Sequence, residues 1–106
     1  NPVGITPIGS EVPKEFKLSQ NYPNPFNPST KIKFSIPSVE TGFKPVSVKL
    51  SVFDILGRQI AELVNQKLSP GTYEVNWNAS GFPSGVYFYR LRFGSYTDTK
   101  KMVLIK

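Results

Sequence analysis

The side chains that most often carry out chemistry are scarce in this sequence. Its 106 residues contain no histidine and no cysteine, so the usual nucleophile and base pairs, thiolate metal sites and groups that titrate near neutral pH are missing. The seven carboxylates do not follow the spacing of a calcium loop, and no glycine-rich phosphate loop is present. The sequence therefore predicts no catalytic residue, no metal site and no cofactor.

A hydrolase with paired carboxylates is the one enzymatic alternative that we consider. Its candidate residues are Asp54, Glu62 and Glu74. Such an enzyme needs two carboxyl groups placed across a deep substrate cleft, and a domain of this length has little room for one. We therefore expect that the chain is not an enzyme.

Basic residues outnumber acidic ones, which would suit an anionic partner. Thirteen Lys and Arg against seven Asp and Glu give a net charge of +6. Most of these cations alternate with apolar residues, and only Lys100 and Lys101 are adjacent. Because a nucleic-acid site needs clustered basic residues, this distribution predicts solvated sheet faces and no nucleic-acid binding.

Apolar and polar residues alternate from Phe16 onward, which predicts an all-β fold because alternate side chains of a strand face opposite sides. Turn residues recur at intervals of about 8–12 residues, as in antiparallel immunoglobulin-like β-sandwiches. One segment is ambiguous, since Ile60, Leu63 and Val64 also suit one helical face. We expect seven strands, within residues 16–20, 31–36, 46–52, 58–65, 73–78, 86–93 and 96–105.

The segments outside these strands set the domain organisation. Residues 1–15 hold three prolines and two glycines without periodicity, which predicts a linker or flexible arm ahead of a sandwich domain at 16–106. Residues 38–45 are expected to form an exposed loop. The chain has neither an initial methionine nor a signal sequence, so we interpret it as part of a longer protein, and no stretch is apolar enough to span a bilayer.

Residues 22–28 (YPNPFNP) are the most unusual local feature. Three prolines at this spacing cannot support a central strand, which predicts a rigid connector whose Tyr22 and Phe26 cover the open end of the sandwich. A proline-rich ligand for an aromatic groove is the alternative, although the spacing is not P-x-x-P.

Two further features have a structural and a functional interpretation. Trp77 could belong to an aromatic platform for a sugar or a base, but it shares a strand face with Val75, which favours the core and leaves Phe88 as the exposed aromatic candidate. The final strand, at residues 96–105, could simply complete a sheet. Its edge, its lysines and a terminal carboxylate could also be bound by a partner that captures a strand.

Several motifs follow one another in order along residues 16–106. They include the turn at 53–58 with Gly57 and Arg58, the turn at Gly71 and the run at 83–91 with Gly85. The loop motif consists of Tyr22, Pro23, Asn24, Pro25, Phe26, Asn27 and Pro28. The ending consists of Lys100, Lys101, Met102, Val103, Leu104, Ile105 and Lys106. Together these motifs resemble the type A C-terminal sorting domains of the type IX secretion system of Bacteroidetes and related bacteria.

The resemblance implies a sorting and secretion signal that follows upstream cargo domains. It implies export through the periplasm to the cell surface or medium, with residues 100–106 as the sorting motif and cleavage within residues 1–15. The implied partners are the outer-membrane secretion translocon, a shuttle protein and a sortase.

The segment at residues 38–45 departs from this family pattern because it is longer than the corresponding turn. A similar domain in flagellar hook-capping proteins offers an assembly role as one alternative. A structural or carbohydrate-binding appendage is the other. The oligomeric state does not follow from the sequence.

Overall fold

The structure, a computed structural model, describes residues 5–8, 13–37, 46–94 and 96–106. These residues form eight strands and no helix. The strands are β1 (Ile5–Ile8), β2 (Lys17–Leu18), β3 (Ser29–Ile36), β4 (Val46–Phe53), β5 (Gln59–Leu68), β6 (Gly71–Asn78), β7 (Gly85–Phe93) and β8 (Tyr96–Leu104).

The strands form two antiparallel sheets that pack face to face. The first has the order β1-β6-β3-β2 and the second the order β5-β4-β7-β8. Strands β2-β3-β6 take the places A, B and E of an immunoglobulin domain, and β5-β4-β7-β8 take the places C′, C, F and G. The predicted all-β, immunoglobulin-like sandwich is confirmed.

Strand β1 is the element that the sequence did not predict, so the described strands number eight and not seven. It lies within the predicted linker and pairs with β6, with Ile5 opposite Val75. Pro7 has no N–H to donate, which an edge strand tolerates because only one of its sides is paired. The predicted loop at 38–45 lies outside the described residues, as do residues 1–4 and 9–12 of the predicted linker.

The core follows from the alternation of side chains along each strand. On β3, Ile32, Phe34 and Ile36 are fully buried, whereas Lys31 and Lys33 are exposed. Burial of side chains of this size contributes about 1.5–3 kcal/mol each. The other buried hydrophobic residues are Leu18, Phe26, Val48, Leu50, Val52, Leu63, Val64, Leu68, Tyr73, Val75, Trp77, Ala79, Tyr87, Tyr89, Leu91, Phe93, Met102 and Leu104.

Strand β5 explains why its sequence also suited a helix. Its pairing with β4 shifts register twice, so that Leu63 and Ile60 are extra residues opposite β4. A bulge of this kind interrupts the period of two. Ile60, Ala61, Leu63 and Val64 all turn toward the core as a result, which reproduces the i, i+3, i+4 spacing of a helical face.

Tyr89 of β7 links the two sheets through its hydroxyl. The hydroxyl donates to the carbonyl oxygen of Ser19 at 2.7 Å and accepts from the backbone N–H of Asn21 at 2.8 Å. Both backbone groups belong to the segment between β2 and β3. Burial raises the pKa of Tyr89 to about 12, because the charged form would lose its hydration.

Replacing Tyr89 with phenylalanine should therefore destabilise the sandwich. We expect Tyr89→Phe to lower the free energy of unfolding by about 1–3 kcal/mol, because two backbone groups lose their partner in a buried position. Tyr96→Phe is the matched control, since this tyrosine is 53% exposed and the change keeps its ring. Denaturant titration measures both variants, and equal losses would contradict the role given to the Tyr89 hydroxyl.

Stability should also depend on this hydroxyl at alkaline pH. The pKa of Tyr89 is about 12 in the folded chain against an ordinary value of 10.0, so the unfolded chain loses the proton first. The stabilisation is complete below pH 10.0 and is lost as the pH rises toward about 12. Between about pH 9 and about pH 11.5, wild-type should lose more unfolding free energy than Tyr89→Phe. Parallel curves for the two proteins would contradict this.

Candidate functional site

The candidate site is the second half of β8 together with Ile105 and Lys106, because residues 100–106 are the sorting motif that the family resemblance implies. Strand β8 lies at the edge of its sheet and pairs with β7 from Tyr96 opposite Phe93 to Leu104 opposite Gly85. Met102 and Leu104 are buried in the core, whereas Lys101 is exposed on the outer face. The same segment therefore supplies core packing and a solvent-exposed surface.

The proline-rich loop covers the outer edge of this segment. The N–H of Phe26 donates to the carbonyl oxygen of Val103 at 2.9 Å, and the N–H of Ile105 donates to the carbonyl oxygen of Phe26 at 2.9 Å. These bonds form a parallel bridge between Phe26 and Leu104. The loop is therefore more than the connector that the sequence predicted, because it pairs with the last strand.

Two side-chain amides, one just before the loop and one within it, extend this coverage. The Oδ1 atom of Asn24 accepts from the N–H of Val103 at 3.0 Å. The Nε2 atom of Gln20 donates to the carbonyl oxygen of Lys101 at 2.7 Å. Together with the bridge at Phe26, they satisfy most of the outward backbone groups from Lys101 to Ile105.

Buried polar contacts fix the shape of the loop. The Nδ2 atom of Asn21 donates to the carbonyl oxygen of Pro23 at 3.1 Å and to Oγ1 of Thr30 at 2.9 Å. Oγ1 of Thr30 in turn donates to the same carbonyl oxygen at 2.9 Å. Because Asn21 and Thr30 are themselves buried, water cannot easily replace these bonds.

The two aromatic residues of the loop differ in position. The ring of Phe26 is buried with its centroid 5.8 Å from that of Trp77, so the prediction that it covers the end of the sandwich is confirmed. The same prediction is wrong for Tyr22, whose side chain is 80% exposed. Tyr22 pairs with Lys31, and directly opposite residues share a sheet face, which here is the solvent face.

The residues that follow β8 are held against the loop between β6 and β7. The N–H of Lys106 donates to Oγ of Ser84 at 2.9 Å, and its Nζ donates to the carbonyl oxygen of Ser80 at 2.6 Å. Ile105, which lies between Leu104 and Lys106, is 51% exposed. The segment thus presents Lys101, Ile105 and Lys106 on an ordered backbone.

The first half of β8 has a different character. Asp98 and Lys100 alternate with exposed threonines and lie on the same face as Met102 and Leu104, where both are only half-buried. Charged residues that point inward at a sheet edge discourage pairing with another strand. The two halves of the β8 edge are therefore protected from pairing in different ways. Inward charges protect the first half, and the proline-rich loop covers the second.

The predicted turn residues lie at two ends of the sandwich. Gly57 and Arg58 belong to the turn between β4 and β5, and Gly85 begins β7 at that same end, opposite Leu104. Gly71 begins β6 opposite Ile36, at the other end. Gly71 is therefore remote from the candidate site.

The carboxylates named for a hydrolase do not come together. Glu62 pairs with Lys49 at 3.5 Å on the second sheet, and Glu74 pairs with Lys31 at 4.0 Å on the first. Asp54 lies in the turn that follows β4. In residues 5–8, 13–37, 46–94 and 96–106, no group of three or more His, Cys, Asp or Glu could hold a metal ion.

No helix within the described part of the chain is long and apolar enough to cross a membrane.

The sequence placed Asn24 in the loop motif but gave no indication of its bond to Val103. Three further residues that hold the candidate site, Gln20, Ser80 and Ser84, were not among the predicted site residues. No local pattern marks any of the three.

The amide of Asn24 should protect the last strand from opening. We expect Asn24→Ala to lower the free energy of unfolding by about 0.5–1.5 kcal/mol and to speed hydrogen exchange at the Val103 amide. Asn27→Ala is the matched control, because Asn27 also precedes a proline of this loop and is exposed. If both variants exchanged this amide at the same rate, the Asn24 contact would have no protective role.

Comparison with known proteins gives the chain its family. A search of curated proteins found no match. A scan against protein-family models matched residues 20–106 to the secretion system C-terminal sorting domain. The match includes the loop at 22–28 and the whole of β8. Domains of this family direct proteins to the type IX secretion machinery, for export to the cell surface or the extracellular space. The chain therefore belongs to the family of secretion system C-terminal sorting domains, and it is a sorting signal for type IX secretion.

Proposed function

We propose that the secretion machinery recognises this domain through the second half of β8 and the two residues that follow it. The observation that carries the proposal is the ordered display of Lys101, Ile105 and Lys106. The backbone of this segment pairs with β7 up to Leu104, and Phe26 and Asn24 hold its outer edge. The N–H of Lys106 donates to Ser84. A partner that binds an ordered segment loses less conformational entropy than one that must order it.

The proposal assigns separate tasks to the rest of the chain. The sandwich is the rigid support, and residues 1–15 connect it to upstream cargo domains and contain the site of release. The partners are the outer-membrane secretion translocon, a shuttle protein and a sortase, which the domain meets after transit through the periplasm. The chain itself has no catalytic part in this process, in keeping with its family and with the separation of Asp54, Glu62 and Glu74.

The two exposed lysines of this segment indicate what kind of partner it would bind. Lys101 and Lys106 are both exposed and lie on either side of Val103 and Ile105. A partner with acidic groups at matching positions would gain charge-assisted hydrogen bonds. Reversing these charges should therefore weaken recognition without disturbing the core.

Truncation is a poor test of this proposal. Removing residues 100–106 would also remove Met102 and Leu104, which are 0% and 1% exposed. Loss of such side chains costs about 2–5 kcal/mol each, so failure of export would not separate recognition from unfolding. Substitution of the exposed lysines avoids this problem.

The decisive experiment fuses a reporter protein ahead of residue 1 and expresses it with an export signal in a type IX-competent bacterium. We expect the double variant Lys101→Glu and Lys106→Glu to reduce the reporter at the surface by at least about tenfold, which corresponds to about 1.4 kcal/mol of binding. The reporter should remain in the periplasm. The matched control is Lys17→Glu with Lys67→Glu, two exposed lysines elsewhere on the sandwich.

The control should leave surface delivery unchanged. Melting temperatures of the purified variants check that both pairs are folded. Normal surface delivery of the folded Lys101 and Lys106 variant would contradict the proposal. An equal defect in the control pair would also contradict it, because the loss would then follow from net charge and not from the position of the lysines.

A further inference from the structure

Exposed aliphatic side chains gather at the end of the sandwich where β8 ends. The described residues contain five large hydrophobic side chains that are exposed, and three of them, Ile55, Leu56 and Ile105, lie at this end. Ile55 and Leu56 form the tip of the turn between β4 and β5, where they are 68% and 75% exposed. Adjacent exposed aliphatic residues at a turn tip are unusual, because turns favour polar residues.

A groove lies beside this turn. It has a volume of about 400 Å³ and separates the turn from the loop between β6 and β7. We call it the end groove. Its apolar walls are formed by Ile55, Leu56, Ile60, Phe82, Val86 and Tyr87.

Hydrogen bonds hold the turn in one conformation. Oδ1 of Asp54 accepts from the N–H groups of Leu56 and Arg58 at 2.9 and 3.0 Å, and Oδ2 accepts from Nε of Arg58 at 2.8 Å. The N–H of Arg58 is the main reason why the pKa of the Asp54 carboxyl is lowered. Gly57 has a φ of +86°, which a residue with a side chain rarely adopts.

This network does not require aliphatic residues at the tip. Asp54 and Gly57 determine the conformation of the turn. The aliphatic side chains of Ile55 and Leu56 neither donate nor accept hydrogen bonds in it. The facing loop is also fixed, because the hydroxyl of Tyr87 donates to the carbonyl oxygen of Pro83 at 2.6 Å. The end groove is therefore a preformed surface, which suits binding better than a flexible one.

The end groove is continuous with the segment proposed for recognition. Ser84 lines the groove and accepts the N–H of Lys106, and Gly85 lines it while pairing with Leu104. The side chain of Arg58 lies on the rim and is 73% exposed, and its charge is paired with the Asp54 carboxylate through Nε. Its Nη groups are further donors for an acceptor on a partner. A protein bound to Ile105 and Lys106 would therefore also reach the groove.

We propose that the end groove is a second contact for the same component of the secretion machinery that binds the end of β8. The component inserts an apolar side chain between Ile55 and Phe82 and places an acidic group near Arg58. Ile55 and Leu56 are then binding residues, and Asp54 positions them. This inference rests on the proposed function, and it adds the turn at residues 54–58, which lies about forty residues before β8 in the sequence.

The reporter fusion described above tests this surface. We expect the double variant Ile55→Ser and Leu56→Ser to lower surface delivery by at least about tenfold, because each aliphatic side chain removed takes apolar contact area from the complex. Tyr22→Ser is the matched control, since Tyr22 is 80% exposed and does not line the groove. Melting temperatures should match wild-type, and Leu56→Lys alone serves if the double variant melts early.

The outcomes separate the two proposals. Periplasmic retention of the Ile55 and Leu56 variant, with normal delivery of Tyr22→Ser, supports the end groove as a contact. Normal delivery of that variant, when the Lys101 and Lys106 variant is retained, overturns the groove and leaves the proposed function intact. Normal delivery of both overturns both.

Self-association is the remaining outcome, and sedimentation of the purified chain tests it. We expect a monomer at all concentrations measured. A dimer that forms in the wild-type chain and is lost in the Ile55 and Leu56 variant would overturn the inference, because the surface would then serve contact between two copies.

Discussion

Phe26 joins the core, the proline-rich loop and the last strand at a single position. Its ring packs against Trp77, and its backbone N–H and C=O bond to Val103 and Ile105. The loop cannot leave the edge of β8 unless a buried aromatic ring leaves the core. The outer edge of residues 103–105 depends on this one insertion, whereas Ser80 and Ser84 hold Lys106.

Much of the fold was predictable because the alternation of apolar and polar residues along a strand can be seen within a short stretch of sequence. Strands such as β3 show the period of two directly, and the sandwich followed from their number and spacing. The sequence failed where another constraint intervened. Register shifts in β5 gave Ile60, Leu63 and Val64 a helical spacing, and Pro7 concealed β1, an edge strand that needs hydrogen bonds on one side only.

The candidate site was less predictable because its contacts join distant parts of the chain. Family motifs located residues 22–28 and 100–106 separately, but no local pattern indicates that Asn24 accepts from Val103 or that Ser84 accepts from Lys106. The exposed position of Tyr22 depended on the register with Lys31, which sequence alone does not give. The turn that contains Ile55 and Leu56 was predicted, but the groove beside it was not, because its other wall comes from the loop between β6 and β7.

Burial of Met102 and Leu104 has a consequence for biosynthesis. These side chains lie close together near the far end of the sequence, and β7 has no partner on that side until they arrive. A ribosome makes the chain in order, so the second sheet stays incomplete until residue 104 has emerged. A cargo protein whose translation stopped before residue 104 would carry an incomplete second sheet. A completely folded domain therefore forms only after translation has passed residue 104.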